Sequence, residues 1–198
     1  MKLLLLSSLA GFTFAVPPQF EKFNKFTENY NPESDPKYCA PPSDQWTDEN
    51  SAFHDGVWYY TWYVTGQENQ LVHEDAMKKC WYQGEGTIMA EPRTQDEQDW
   101  MDYVQYKVVS ANLPEGQTYP TAGWIGILCN NKDNCKYMSD RTDVTNYLWD
   151  PENPDGVDDP YSCLGNTIQY AFPGGTGAHG WFDAECDNLH GANCMYRC

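Results

Sequence analysis

The segment His73-Glu74-Asp75-Ala76-Met77-Lys78-Lys79-Cys80 carries the clearest local pattern in the chain. Ala76 and Cys80 lie one helical turn apart, so a helix places them on the same face. Gly84 and Gly86 follow and end the pattern. Together with Leu71 and Val72 before it, the segment therefore predicts a short helix with Ala76 and Cys80 on one side.

A strand is predicted before this helix and a second helix after it. The run from Val57 to Val64 consists almost entirely of β-branched and aromatic residues, which indicates a strand whose rings pack in the core. Thr94 followed by Glu97 has the spacing of a capping box, so we expect a helix from Gln95 to Val109.

The remainder of the chain is built differently. Gly, Pro, Asn and Asp dominate residues 112–180, broken by the apolar runs Trp124–Leu128 and Ser162–Phe172. Helices early in the chain, followed by short strands and long loops, predict an α+β domain in which the loops carry the function.

The first residues indicate the compartment. Lys2, an apolar stretch ending at Phe14 and the small-residue pattern before Val16 predict a signal peptide over residues 1–15. The stretch is shorter than the roughly 20 apolar residues of a membrane helix. The chain has eight cysteines, an even number that can pair completely in an oxidising compartment. We expect a secreted, extracellular protein with disulfide bonds and no membrane span.

The charge of the chain limits its partners. Twelve Lys and Arg residues against 29 Asp and Glu give a formal net charge of −17. A phosphate backbone repels such an acidic surface, which excludes nucleic acid as a partner. Cations, mineral surfaces and neutral sugars remain as possible partners.

The chain divides into two parts after the signal peptide. Residues 16–50 are rich in Pro, Asn and acidic residues, so we expect an extended segment held only by Cys39. Residues 51–198 form the predicted single domain.

Several short motifs follow one another in a fixed order along residues 55–198. The segment from His73 to Cys80 comes first, and Trp124-Ile125-Gly126-Ile127 stands at the centre. The others are Gly84, Ile88-Met89-Ala90, Glu97, Trp149, Pro154, Cys163, Gly180-Trp181-Phe182-Asp183, Cys186 and Cys198. This ordered set resembles the C-type lectin-like domain family, whose fold has two helices, small antiparallel sheets and a long-loop region.

The resemblance implies a set of disulfide bonds. It joins Cys80 to the last cysteine of the domain, and Met195-Tyr196-Arg197-Cys198 looks like the closing strand. The expected bonds are Cys80–Cys198, Cys163–Cys186, Cys129–Cys135 and Cys39–Cys194. The alternative exchanges Cys194 and Cys198 between Cys80 and Cys39.

The resemblance also implies a calcium and sugar site. In sugar-binding members, calcium is held by a Glu-Pro-Asn or Gln-Pro-Asp triplet, a Glu before the next cysteine and an Asn-Asp pair after a tryptophan. Calcium takes six to eight hard oxygen ligands, which these side chains supply. The matching residues here are Asn153 and Asp155 of the triplet Asn153-Pro154-Asp155, and Asp183. They are the candidate carbohydrate and calcium ligands.

Two positions depart from the family's pattern. Tyr161 replaces the Glu before the cysteine, and Phe182 replaces the Asn of the Asn-Asp pair. Candidate auxiliary residues near the site are Glu152, Asp158, Asp159 and Trp181. The acids could bind calcium in another arrangement or form a solvated loop, and Trp181 could stack on a sugar or pack in the core.

Two functions follow from these observations. The first is a secreted lectin that binds a glycan or glycoprotein, with or without calcium as its cofactor. The alternative is an acidic extracellular matrix module that meets mineral or a protein partner. An enzyme is not expected, because the histidines show no metal-binding spacing and the cysteines can all be used in bridges.

Overall fold

The computed structural model describes residues 31–63, 70–112, 122–131, 133–150, 153–154, 162–168 and 180–198. Within these ranges the chain forms two α-helices and eight strands, which confirms the predicted α+β class. A 3-10 turn at Pro32–Ser34 comes first, and the helices are α1 (His73–Trp81) and α2 (Gln95–Asn112). The strands are β1 (Ser51–His54), β2 (Val57–Trp62), β3 (Ile88–Met89), β4 (Gly123–Asn131), β5 (Asn134–Tyr137), β6 (Ser162–Thr167), β7 (Gly180–Ala184) and β8 (Gly191–Arg197).

The described strands join into a single sheet. Its order is β1-β2-β8-β4-β6-β7, with β3 added to β8 and β5 added to β4. The pairing of β4 with β8 is parallel, whereas the other described pairings are antiparallel. The resemblance implies small antiparallel sheets, and the described strands join into one sheet that is antiparallel except at this pairing. The side chain of Asn193 strengthens the parallel junction, because its Nδ2 donates to Gly123 O at 3.3 Å.

Helix α1 forms within the predicted stretch, although it begins at His73 rather than at Leu71. Ala76 and Cys80 are both buried, and they share the face that packs against the sheet. Glu74 and Asp75 occupy the first turn and Lys78 and Lys79 the last, which is the favourable order for the helix dipole.

Helix α2 begins at the predicted residue but continues beyond Val109 to Asn112. The Thr94 hydroxyl accepts a hydrogen bond from Glu97 N at 3.1 Å, as a capping box requires. Arg93 N donates to the Glu97 carboxylate at 2.7 Å. A standard capping box would use the N–H of the cap residue Thr94, one residue later. The helix start is therefore fixed by side chains from both directions.

Strand β2 separates two hydrophobic clusters. Val57 and Tyr59 belong to the cluster beneath α2, whereas Trp58 and Tyr60 belong to the cluster beneath α1. Successive strand residues face opposite sides, so a continuous aromatic run fills both cores. This placement confirms the interpretation of these rings as core residues.

A network of buried polar side chains crosses the centre of the domain. Asn166 Nδ2 donates to Asp102 Oδ1 at 2.8 Å and to Gln105 Oε1 at 2.9 Å. Gln98 Nε2 donates to Asn166 Oδ1 at 2.7 Å, and Asn193 Nδ2 donates to Gln105 Oε1 at 2.8 Å. We call these five residues the polar network. It ties α2 to β6 and β8 without a water-exposed group.

The disulfide bonds match the prediction for Cys163–Cys186 and Cys129–Cys135. The expected bonds Cys80–Cys198 and Cys39–Cys194 are wrong, and the structure contains the alternative pairing, Cys80–Cys194 and Cys39–Cys198. The reason is the position of each cysteine along β8. Cys194 lies within the strand opposite Met89, next to α1, whereas Cys198 follows the end of the strand.

The segment before the domain is held by more than Cys39, contrary to expectation. Trp46 is buried and stacks on Tyr60 at 5.2 Å between ring centroids, and Tyr38 packs edge-on against Phe53. Lys107 Nζ also donates to the backbone oxygen of Asp48 at 2.6 Å. Residues 38–50 therefore contribute to the core.

Candidate functional site

The loop after β5 is fastened to the start of β7. Trp181 N donates to Leu148 O at 2.8 Å, and Asp150 N donates to Trp181 O at 2.9 Å. Gly180 permits this approach, because its φ is +114° and a Cβ there would lie 2.6 Å from Leu148 O. Residues 148–150 and β7 thus form one rigid unit.

Asn153 is positioned by this unit. Its backbone N donates to Asp150 O at 2.9 Å, and its Nδ2 approaches Asp150 Oδ1 at 3.4 Å. Asn153 is half-buried, and the peptide bond between Asn153 and Pro154 is cis. The backbone bond to Asp150 places the start of the triplet beside β7.

Asp183 lies further along the same strand. It pairs with Leu164 of β6, and it is half-buried at the end of the sheet. We call Asn153 and Asp183 the donor edge. The bonds between Asp150 and Trp181 bring the two segments that carry these residues together.

The other predicted ligands lie outside the residues that the structure describes. Asp155, Glu152, Asp158 and Asp159 lie outside the described residues, as does Tyr161. These positions remain predictions from the sequence.

Trp181 is a core residue, and its assignment as an auxiliary sugar contact is corrected. Its side chain is 0% exposed, and its Nε1 donates to Gln98 Oε1 of the polar network at 2.7 Å. Trp149 packs edge-on against it at 6.2 Å. A ring with no exposed face cannot stack on a sugar, so Trp181 instead holds β7 in place.

Phe182 packs onto the sheet at the position where the family has an amide ligand. Its ring covers Gly165, where a Cβ would overlap it, and it meets His190 edge-on at 5.3 Å. His190 is itself packed against Trp124, and burial lowers its pKa to about 4. The amide ligand is thus replaced by a side chain that contributes to packing.

The remaining described histidines are also packed. His73 lies edge-on to Trp124 at 5.3 Å, and burial lowers its pKa. His54 stacks on Trp100 at 4.5 Å, and its Nε2 lies 2.7 Å from Asp96 Oδ2. His179 is outside the described ranges. These contacts support the interpretation of the histidines as ordinary packed residues.

The donor edge offers the type of ligand atom that calcium takes, but too few of them. Asn153 and Asp183 offer the hard oxygen atoms that calcium takes, although a calcium ion requires six to eight. Among the described residues, no group of three or more His, Cys, Asp or Glu side chains could hold a metal ion. Further ligands would have to come from residues 151–161, from water or from a bound sugar.

The sequence interpretation missed a pair of exposed aromatic residues. Trp81 and Tyr82 are 68% and 79% exposed, and they directly follow the buried Cys80. The available signal was the helical pattern itself, because it ends at Cys80 and leaves the next two rings without a predicted core position.

The helices, the mixed sheet and the disulfide bonds give the described chain a C-type lectin-like fold. Among solved structures, human lithostathine aligns with a TM-score of 0.54 at 19% identity, covering 77% of this chain and 100% of that one. CEL-IV aligns with a TM-score of 0.58 at 16% identity, over 81% and 95% of the two chains. A complex of SPL-1 with GlcNAc gives 0.52 at 18% identity, over 76% and 95%. These similarities confirm the fold.

The other comparisons add no closer relationship. No protein-family model matches the sequence, and the search of curated proteins gives no match. Neither helix of the described chain is long and apolar enough to cross a membrane.

Proposed function

We propose that the protein is a secreted lectin whose donor edge binds carbohydrate with the help of calcium. The observation that carries this proposal is the fastening of the Asn153 loop to β7 through Asp150 and Trp181. It joins the loop that carries the Asn153 amide to the strand that carries the Asp183 carboxylate, and an ordered support lowers the cost of ordering a site on binding. The structural similarity to SPL-1, whose solved structure is a complex with GlcNAc, supports a sugar as the ligand.

Calcium would supply the positive charge that attracts the oxygen atoms of neutral sugar hydroxyls. Asn153, Asp155 and Asp183 would hold the ion, and Glu152, Asp158 and Asp159 are the candidate auxiliary acids in the same loop of the sequence. With Tyr161 and Phe182 in place of two ligands, we expect a weak site, of the order of the 10⁻⁴ to 10⁻³ M found for extracellular modules.

A glycan array with calcium and again with EDTA tests the proposal. We expect binding with calcium, and loss of that binding in Asp155→Ala and in Asp183→Ala. Asp187→Ala is the matched control, because Asp187 is an exposed aspartate in the turn after β7. Tyr161→Glu should strengthen binding, because it restores a carboxylate. An absence of glycan binding under both conditions would contradict the proposal.

A second candidate function is an acidic module that binds mineral or another protein. The packing of Phe182 over Gly165 favours it, because this arrangement removes a ligand and strengthens the scaffold. The net charge of −17 would suit a calcium mineral surface. Adsorption to calcium carbonate particles tests this candidate. Strong adsorption without glycan binding would favour it over the lectin.

A further inference from the structure

Trp81 and Tyr82 form an exposed aromatic surface at the end of α1, far more open than other large apolar side chains of the described chain. Their ring planes are 14° apart with centroids 6.4 Å from each other. Met77, one turn earlier on the same helix, is 38% exposed and extends the surface. We call Trp81 and Tyr82 the aromatic platform.

The platform is held rigidly from both sides. Cys80, which precedes it, is fully buried and bonded to Cys194, and Gln83, which follows it, is buried as well. Tyr82 N donates to Lys78 O at 2.9 Å, so the helical backbone includes the second ring. A ligand that meets these rings would find their backbone already ordered, which reduces the entropy lost on binding.

The charged residues of α1 beside the platform sum to zero, because two acids in the first turn balance two lysines in the last. Lys78 pairs with Glu74 at 2.7 Å and with Asp75 at 3.2 Å. Lys79 Nζ lies 5.2 Å from the centroid of the Trp62 ring. The platform therefore lacks a strong local charge for an ionic ligand, and the net charge of −17 repels anionic membranes and polymers.

The area of the platform is too small for a stable protein interface. At their observed exposure the two rings offer roughly 100–200 Å² each. A stable interface uses about 800 Å² on each partner, and two copies of this acidic chain would repel each other. Exposed apolar patches of a few hundred Å² on a monomer are nevertheless often functional.

We propose that the aromatic platform is a second ligand site, which binds the flat face of a neutral polysaccharide. A sugar ring presents a face of C–H bonds, and these carry slight positive charge that the negative face of an aromatic ring attracts. Because the two rings are near-parallel and both are mostly exposed, each can offer a ring face to a different sugar unit of one extended polysaccharide. Binding here uses no calcium and none of the donor-edge residues, so it is independent of the proposed lectin site.

Depletion assays with chitin and cellulose particles in EDTA test this site. We expect the wild-type protein to bind at least one of them, and Trp81→Ala/Tyr82→Ala to bind about tenfold more weakly or worse. Trp81→Phe/Tyr82→Phe keeps two ring faces and should stay within about threefold of wild type. Because both side chains are exposed, thermal unfolding should show that the variants remain folded.

Three results would overturn the proposal. In the first, the wild type binds neither polysaccharide in EDTA. In the second, the alanine variant binds as well as the wild type. In the third, the phenylalanine variant loses as much binding as the alanine variant. Sedimentation velocity adds a fourth, since a wild-type dimer that the alanine variant converts to monomer would assign the patch to self-association. Asp183→Ala should bind particles like wild type, which separates this site from the donor edge.

Discussion

The polar network at the centre of the domain and the donor edge at its end use the same chemical groups in opposite ways. In the network, the amides of Gln98, Gln105 and Asn166 bond to one another and are closed off from water. At the edge, the amide of Asn153 and the carboxylate of Asp183 remain partly exposed. Polar groups in the interior must be satisfied within the chain, whereas those at the edge can serve a ligand.

The two regions are connected through one side chain. Trp181 donates its Nε1 hydrogen to Gln98 of the network, and its backbone oxygen accepts from Asp150 of the loop that carries Asn153. We therefore expect substitutions in the interior to reduce stability first, and substitutions at the edge to reduce binding alone.

The largest expected effect on stability is the loss of the bridge between Cys80 and Cys194. The Cys80→Ala/Cys194→Ala variant should lose about 4 kcal/mol of unfolding free energy, because both residues are buried and the bridge closes a long loop. Chemical denaturation measures this loss. Peptide mapping of the wild-type protein without reduction should recover Cys39 linked to Cys198, and recovery of Cys80 linked to Cys198 would contradict the pairing.

The second-largest effect is expected for Asn166→Ala, which should lower the unfolding free energy by about 3 kcal/mol. It removes the amide that donates to Asp102 and to Gln105 in a fully buried position. Asn134→Ala is the matched control, because Asn134 is exposed on β5 and should change stability by less than about 0.5 kcal/mol. Equal effects of the two substitutions would show that the network does not stabilise the interior.

His190 should make stability depend on pH. Burial lowers its pKa from 6.5 to about 4, so between these values the unfolded chain binds more protons than the folded one. The unfolding free energy should fall by about 2 kcal/mol as the pH decreases from 6.5 to 4. Denaturation across this range measures the effect.

His190→Gln should remove most of that fall. Burial also lowers the pKa of His73, which leaves a smaller dependence in the same direction. Asp102 acts oppositely, because burial raises its pKa and its contribution to stability is lost as the pH increases. An unchanged pH profile in His190→Gln would assign the titration to another group.

The smallest expected effect on stability is that of Asp183→Ala. The side chain is half-buried at the sheet end, so we expect a change within about 0.5 kcal/mol in chemical denaturation. A loss of several kcal/mol would indicate that Asp183 belongs to the scaffold, and the contrast between edge and interior would then fail.

The fold could be predicted from the sequence to a greater extent than the site. The periodicity before Cys80 and the cap at Thr94 act locally, so the sequence predicts both helices and the first residue of α2. The pairing of Cys194 and Cys198 depends on where β8 ends relative to Cys80, which only the assembled sheet determines. A pattern of spacings leaves both pairings open.

The site could not be predicted in full, because it too depends on how the chain packs. Trp181 has the same residue type whether it packs or binds sugar, and only its burial against Gln98 distinguishes the two roles. The exposure of Trp81 and Tyr82 likewise depends on the sheet face that α1 covers. Motif order identifies which residues are present, whereas packing decides which surfaces remain open.

The most direct test of the central claim is a calorimetric titration of calcium into the wild-type protein, Asn153→Ala and Asp183→Ala. If the donor edge holds calcium for sugar binding, the wild type should show a saturable heat with a dissociation constant of the order of 10⁻⁴ to 10⁻³ M. Both variants should lose it. A wild type without heat, or variants that bind calcium as well as wild type, would contradict the claim.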